Sequence, residues 1–214
     1  MNNADKGKRI EKDIENDHMT LEETGDLWAN TFQAWAPFHA DYSSFYICAP
    51  QGGDLFLMMM MMMNKNNHPL RHTLIWAKNN HVLGRSDYNY KHEPMFYGWQ
   101  HRHKFYKKGQ YKFSVWNIDK SLKNDLHPTM KPVELVGNAI LNSSLKGMIV
   151  ADYFLGSGST LIAAEKTKRK CYGIEISKEY CQVIVQRWCD FTGKDEIKIN
   201  GKTIQWGDYV CSSI

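Results

Sequence analysis

"VADYFLGSGSTLIAAE", Val150–Glu165, opens as an apolar run, meets an acid and two glycines, and then turns helical. The pattern predicts a strand, a tight loop and a helix, the unit whose repetition builds a parallel sheet. In such sheets ligands bind beyond the carboxyl ends of the strands. Asp152 falls where strand becomes loop, Gly156 and Gly158 let backbone approach a ligand, and Ser159 and Thr160 begin the helix. The next run, "KCYGIEIS", predicts a strand ending at Glu175, twenty-three residues after Asp152. An acid there can accept both hydroxyls of a ribose, so the two strand ends point to an adenosine-type ligand.

Two ligand classes use this logic. Dinucleotide sites carry GxGxxG and set a pyrophosphate on the helix N-terminus. Here the glycines read GSGST without the third glycine, and Asp152 ahead of them would repel pyrophosphate. An acid suits instead the positive ammonium or sulfonium end of S-adenosyl-L-methionine. A lone GxG is a weak signal, because strand-to-helix turns often carry glycine for structural reasons.

Similar elements extend outward on both sides. "KPVELVGNAILNSS" predicts a helix with Pro132 in its first turn. Before it come a pair of strands around "EPMFYGW" and "KFSVWNI", the strand "LRHTLIWAKN" and the helix "GDLFLMMMMMMNKNN". "SSFYICAP" reads as a short buried strand ending at Pro50. Thr20 and Glu23 have capping-box spacing ahead of Leu27, Trp28, Phe32 and Trp35 at helical intervals. On the other side, "KEYCQVIVQRWCDF" predicts a helix closed by Gly193. The alternation predicts an α/β fold, a mainly parallel sheet with helices on both faces. Met58–Met63 reads as part of a helix apolar on every side and buried, with thioethers filling irregular gaps.

At 214 residues the chain has room for one such domain, and 43% hydrophobic with 23% charged residues is ordinary for a globular protein. A net charge of +4 permits a polyanionic partner without demanding one. Five cysteines, odd in number and without a CxxC pair, fit reduced thiols in the cytoplasm rather than a disulfide frame or a zinc site. No metal is expected. The first eighteen residues are polar and mixed in charge, unlike a signal peptide, and the longest apolar run, Leu55–Met63, is too short to span a bilayer.

Taken together, "HPTMKPVELV" (His127–Val136), "DYFLGSGSTLIAAE" and "CYGIEISKEYC" resemble the β-group amino-methyltransferases of DNA. This permuted family modifies adenine N6 or cytosine N4, and its HPTxKP segment precedes FxGxG, as here. "RHTLIWAKNNHVLGRSDYNYKHEPMFYGW" resembles the family's stretch ahead of HPTxKP, so the resemblance covers about Glu15 to Gly193. It implies a Rossmann-like S-adenosylmethionine-dependent methyltransferase fold. By resemblance, Asp152, Phe154, Gly156 and Gly158, with Ser159 and Thr160, form the floor and methionine end of the cofactor site. Glu175 binds the ribose, and His127, Thr129 and Lys131 close the other side. His92 and Glu93 line a pocket for a flipped-out base. Tyr153 replaces the family's usual proline, and Leu155, in place of a small residue, is expected to crowd the turn. The division expected is an arm over 1–19, a methyltransferase domain over 20–193 with a basic insertion at about 100–115, and a tail over 194–214 with an edge strand.

The family localises the lone pair of the exocyclic amine with an Asp-Pro-Pro-Tyr type segment, on a strand at the sheet centre. The six prolines, Pro37, Pro50, Pro69, Pro94, Pro128 and Pro132, are never adjacent, so no such segment occurs in these residues. Three explanations stay open: a split or truncated enzyme whose N-terminal part comes separately, a silent module that binds cofactor or DNA, or another acid doing the work. The first names a complementing N-terminal chain, or a second copy, as partner. "TIQWGDYV", Thr203–Val210, resembles the strand that opens full-length members, with Asp208 near the adenine; an ordinary closing strand is the alternative.

"HRHKFYKKGQYK", His101–Lys112, holds five Lys or Arg residues, among them Arg102, Lys104, Lys107 and Lys108, with three aromatics and no acid. Such a stretch suits phosphate contact with stacking, or is simply a solvated face. The expectation from sequence is therefore site-specific methylation of double-stranded DNA, at adenine N6 ahead of cytosine N4, by direct transfer from a sulfonium.

Overall fold

The computed structural model describes residues 19–81, 87–107, 112–120 and 130–208. Thr20 caps helix α1 (Leu21–Trp35) through a full capping box with Glu23, as the spacing predicts. There follow β1 (Phe45–Cys48), α2 (Gly53–Lys65), β2 (Leu70–Ala77), β3 (His92–Gly98) and β4 (Val115–Asn117). The second half holds α3 (Val133–Ser143), β5 (Ile149–Asp152), α4 (Ser159–Thr167), β6 (Lys170–Gly173) and α5 (Lys178–Thr192), then β7 (Glu196–Ile199) and β8 (Lys202–Gln205).

The strands form three separate sheets: β1-β3-β2-β4, the parallel pair β5-β6, and the hairpin β7-β8. The architecture is α/β, but the sheet is mixed rather than mainly parallel. β3 runs antiparallel to both β1 and β2, and only β2-β4 and β5-β6 pair in parallel. The two strands expected as a pair around "EPMFYGW" and "KFSVWNI" flank β2 instead.

Alternation along β1 and β3 sends Phe45, Ile47 and Phe96 to α1 and α2, where they pack with Phe32, Met59 and Met63. Tyr46 and Met95 go to the other face and pack with Trp76 and Leu135. Helix α3 belongs to two clusters. Leu135 and Ala139 cover the four-stranded sheet, while Val136 and Ile140 meet Ala163 and Ala164 of α4 and Val150 of β5. It thus carries β5-β6 alongside β1, with the outer edges of β1 and β5 bearing no ladder partner among the described residues. The face of β5-β6 away from α4 is bare: Ile149, Tyr172 and Ile174 are each at least 60% exposed.

Three expectations change. The methionine helix is buried on one side only, with Met59 and Met63 in the core and Leu57 and Met61 more than half exposed. Its neighbours cover a stripe, not the whole cylinder. Pro132 is the N-cap of α3 rather than a first-turn residue. The C-terminal strand does not repair the β5-β6 sheet: β8 pairs with β7, and the exposed Asp208 follows in a short helical turn. The expected N-terminal arm lies, but for Met19, outside the described residues.

Candidate active site

The carboxyl ends of β1, β2 and β5 lie at one end of the molecule together with the start of β3. Asp152 closes β5 and folds back on its own loop. One carboxylate oxygen accepts the Phe154 amide at 3.0 Å, and the other accepts the Thr160 hydroxyl at 2.5 Å. Glu175, two residues beyond β6, accepts the Gly156 amide at 2.7 Å and the Ser177 amide at 2.9 Å. Two acids therefore clamp the glycine loop from both sides. Each carboxylate oxygen keeps a lone pair for a further donor.

Gly156 and Gly158 both sit at positive φ, 54° and 83°, so the turn needs residues without a Cβ. Gly158 N-caps α4 at close approach to Ile184 of α5. Leu155 does not crowd the turn, because its side chain lies over Gly173, where a Cβ would stand 2.5 Å from it. Tyr153 stacks on Trp35 of α1, ring centroids 4.7 Å apart, and the exposed Phe154 meets the same indole edge-on.

Opposite this loop, Lys131 ties the site together. Its carbonyl accepts the Ser159 hydroxyl at 2.7 Å, and its ammonium pairs with Glu93 at 2.6 Å. Lys78, at the end of β2, reaches the other oxygen of Glu93 at 3.3 Å. Burial opposes ionisation of Glu93, yet the Lys131 and Lys78 charges outweigh it and hold the carboxyl below its ordinary value. Burial likewise opposes the charge on Lys131; Cys48, if ionised, and Glu93 favour it, and the balance lies upward. Burial pushes the Cys48 thiol up, so it stays neutral and Glu93 is the operative partner. Cys48 is nonetheless accessible to water. Exposed but ringed by protein, it lies in a cleft beside the free edge of β1, within electrostatic reach of Asp152, Glu93 and Lys131.

The structure brings Asp152, Phe154, Gly156, Gly158, Ser159, Thr160, Glu175, Lys131 and Glu93 to this end. His92 is beside them, edge-on to Tyr90 and with its carbonyl held by Gln51. His127 and Thr129 lie outside the described residues, as does Lys108. Arg102 and Lys104 are elsewhere. The Arg102 amide bonds the Asp41 carbonyl ahead of β1, and both cations lie over the Tyr42 ring. Tyr106, beside Lys107, bonds the last turn of α3 and reaches Met148 ahead of β5. The basic stretch thus lies at the opposite end of the strands from Asp152. Lys78 was not singled out in the sequence, because a lysine ending a strand carries no signal of burial. Among the described residues no three His, Cys, Asp or Glu side chains gather as a metal site, and no helix is long and apolar enough to cross a membrane.

A family model described as DNA methylase, of the N6 and N4 methyltransferases, matches residues 5–186, most of the chain. The chain belongs to the N6/N4 DNA methylase family. Similar curated members include the type II methyltransferase M2.LlaDCHI of Lactococcus lactis subsp. cremoris, 32% identical over 54% of this chain and 40% of that protein. The orphan methyltransferase M.BamHII of Bacillus amyloliquefaciens is 37% identical over 41% of this chain and 36% of that protein. The matched part thus spans about 40% of these methylases' length. Among solved structures, the M1.HpyAVI–SAM complex superposes with a TM-score of 0.65 at 25% identity, covering 74% of this chain and 81% of that one. The cytosine-N4-specific PvuII DNA methyltransferase shares the fold, with a TM-score of 0.60 at 16% identity over 87% of this chain and 76% of its own. The methylase fold expected from the motifs is therefore the fold of this protein.

Proposed function

We propose that this chain is the cofactor-binding part of a site-specific DNA methyltransferase that uses S-adenosyl-L-methionine and acts on adenine N6 of double-stranded DNA in the cytoplasm. The observation that carries the reading is the clamped loop between Asp152 and Glu175. A purely structural turn would not need two acids with spare lone pairs around two left-handed glycines. The residues fit the cofactor: Glu175 offers acceptors for ribose hydroxyls, Asp152 faces the positive methionine end, and Phe154 supplies an exposed ring. When bound, the cofactor supplies an electrophilic methyl group on a sulfonium. The chain's own part is to hold the backbone of the glycine loop rigid, place Lys131 across from Asp152, and leave the end of the sheet open to a base beside His92 and Glu93. Relatives named as type II methyltransferases favour a role in restriction–modification.

Turnover needs a group that accepts the amino hydrogens of the target base. The ionised carboxylates here are held by backbone amides, a hydroxyl or lysines, so none is free for that role without rearrangement. The unpaired edges of β1 and β5, with Cys48 in an accessible cleft, suit a strand from an N-terminal complementing segment better than a second copy of this chain. The test is methyl transfer from radiolabelled S-adenosylmethionine to duplex DNA, by this chain alone and with an added N-terminal fragment carrying Asp-Pro-Pro-Tyr. Activity only in the mixture supports the reading. Cofactor binding with no transfer in either case identifies a silent binding module instead.

A further inference from the structure

The end of the sheet holds a charge imbalance. Lys78, with only 3% of its side chain exposed, and Lys131, with 29%, share a single carboxylate, that of Glu93. Both ammonium groups lie over the face of Trp76, at 5.9 and 5.7 Å from the ring centroid. That indole is fixed, 1% exposed and donating to the Ile118 carbonyl at 2.6 Å. The aromatic wall eases the burial of two cations but does not neutralise them. Two positive charges and one negative leave the cluster with a net charge of +1 in a partly desolvated place, which is costly without a further anion. Asp152 does not supply it, because both of its oxygens turn inward to the glycine loop.

We infer that Lys78, Glu93 and Lys131 form an anion subsite for the α-carboxylate of S-adenosylmethionine, with Lys131 as the contacting residue and Lys78 as a positioning residue behind Glu93. The inference rests on the cofactor reading above. Without Lys78, the close Glu93–Lys131 pair is neutral and has nothing left to offer a carboxylate. With it, Glu93 is shared, and Lys131 faces the cleft as a net cation. The start of α3 adds to the same field. Helix α3 is eleven residues long, begins two residues after Lys131, and turns its first free amides toward this end. The ligand recognised is thus a zwitterion, its carboxylate on the lysine side and its positive groups on the Asp152 side.

The test is calorimetric titration of the whole chain with S-adenosylmethionine and with S-adenosylmethioninamine, which lacks only the carboxylate. The native chain is expected to prefer the carboxylate-bearing ligand. Lys78→Met weakens that ligand roughly tenfold, the size of one partly screened charge, and leaves the decarboxylated one unchanged. Lys78→Arg keeps the preference. Glu93→Gln, which leaves two cations unshared, increases it, whereas a merely structural Glu93 would lose affinity for both ligands alike. This second variant decides the matter if Lys78→Met fails to unfold cooperatively. Equal binding of the two ligands by the native chain, or loss of both alike in Glu93→Gln, overturns the subsite while leaving the cofactor reading intact. Absence of heat with either ligand for the native chain removes both.

Discussion

Gly158→Ala probes the glycine loop at its most constrained point. The residue has φ of 83°, in the left-handed region, where an L side chain costs about 1–2 kcal/mol. A Cβ there would stand 3.1 and 3.3 Å from the two γ-carbons of Ile184. Ile184 is 7% exposed and β-branched, so it cannot swing aside, and such overpacking adds roughly 1–3 kcal/mol. The expected loss is therefore about 2–5 kcal/mol. In a chain of this size it lowers Tm by roughly 5–15 °C. Gly156→Ala is the internal control. Its φ of 54° is also left-handed, but the nearest atom to its Cβ is the Phe154 carbonyl oxygen at 4.0 Å, so only the conformational cost of about 1–2 kcal/mol applies. Urea and thermal unfolding followed by circular dichroism measure both. In an Ile184→Ala background the contact is gone, and Gly158→Ala should fall to the cost of Gly156→Ala. Equal costs for the two glycines in the native background, or no relief with Ile184→Ala, would refute the packing argument.

Three further outcomes are expected. Met63→Ala, at a fully buried position, should cost about 2–5 kcal/mol in urea unfolding, while Met61→Ala, 53% exposed, stays within about 0.5 kcal/mol. His39 contacts the buried His68 through their Nε2 atoms at 3.0 Å, and burial, then His68 and His101, pull its pKa down to about 4. A histidine whose folded value lies below its unfolded one is stabilised as the neutral form, so its contribution is complete above pH 6.5 and declines as pH falls toward 4. The urea midpoint should drop over that window by the equivalent of about 1–3 kcal/mol, allowing for the ring's partial exposure, and His39→Gln should flatten the drop. Neutralising Lys104, Lys107 and Lys108 together should weaken binding to nonspecific duplex DNA and reduce the slope of log affinity against log salt; an unchanged slope would assign the basic stretch to a solvated face.

Local signals were legible wherever a few neighbouring residues settle the matter. Thr20 and Glu23 announce the start of α1, and the capping box forms as written. Gly193 ends α5 in the left-handed region, as a C-terminal glycine should. One local signal went unread. Asn200-Gly201, both at positive φ, is a strong hairpin turn, and it pairs β8 with β7 instead of sending it to a larger sheet. Periodicity misled in the methionine run, because six identical apolar residues carry no phase, and only contact with Phe32 and Phe96 selects Met59 and Met63 as the buried pair.

By itself the sequence determined the order of strands and helices, the glycine loop with its two acids, and the family, because each depends on residues close in the chain or on motifs in fixed order. Tertiary structure alone decided that β3 lies between β1 and β2, that the basic stretch stands at the far end of the strands from Asp152, and that Lys78 shares Glu93 with Lys131. Those facts join residues separated by up to a hundred positions. The free energy that selects them comes from burying Trp76, Met95 and Leu135 together, which no local stretch encodes.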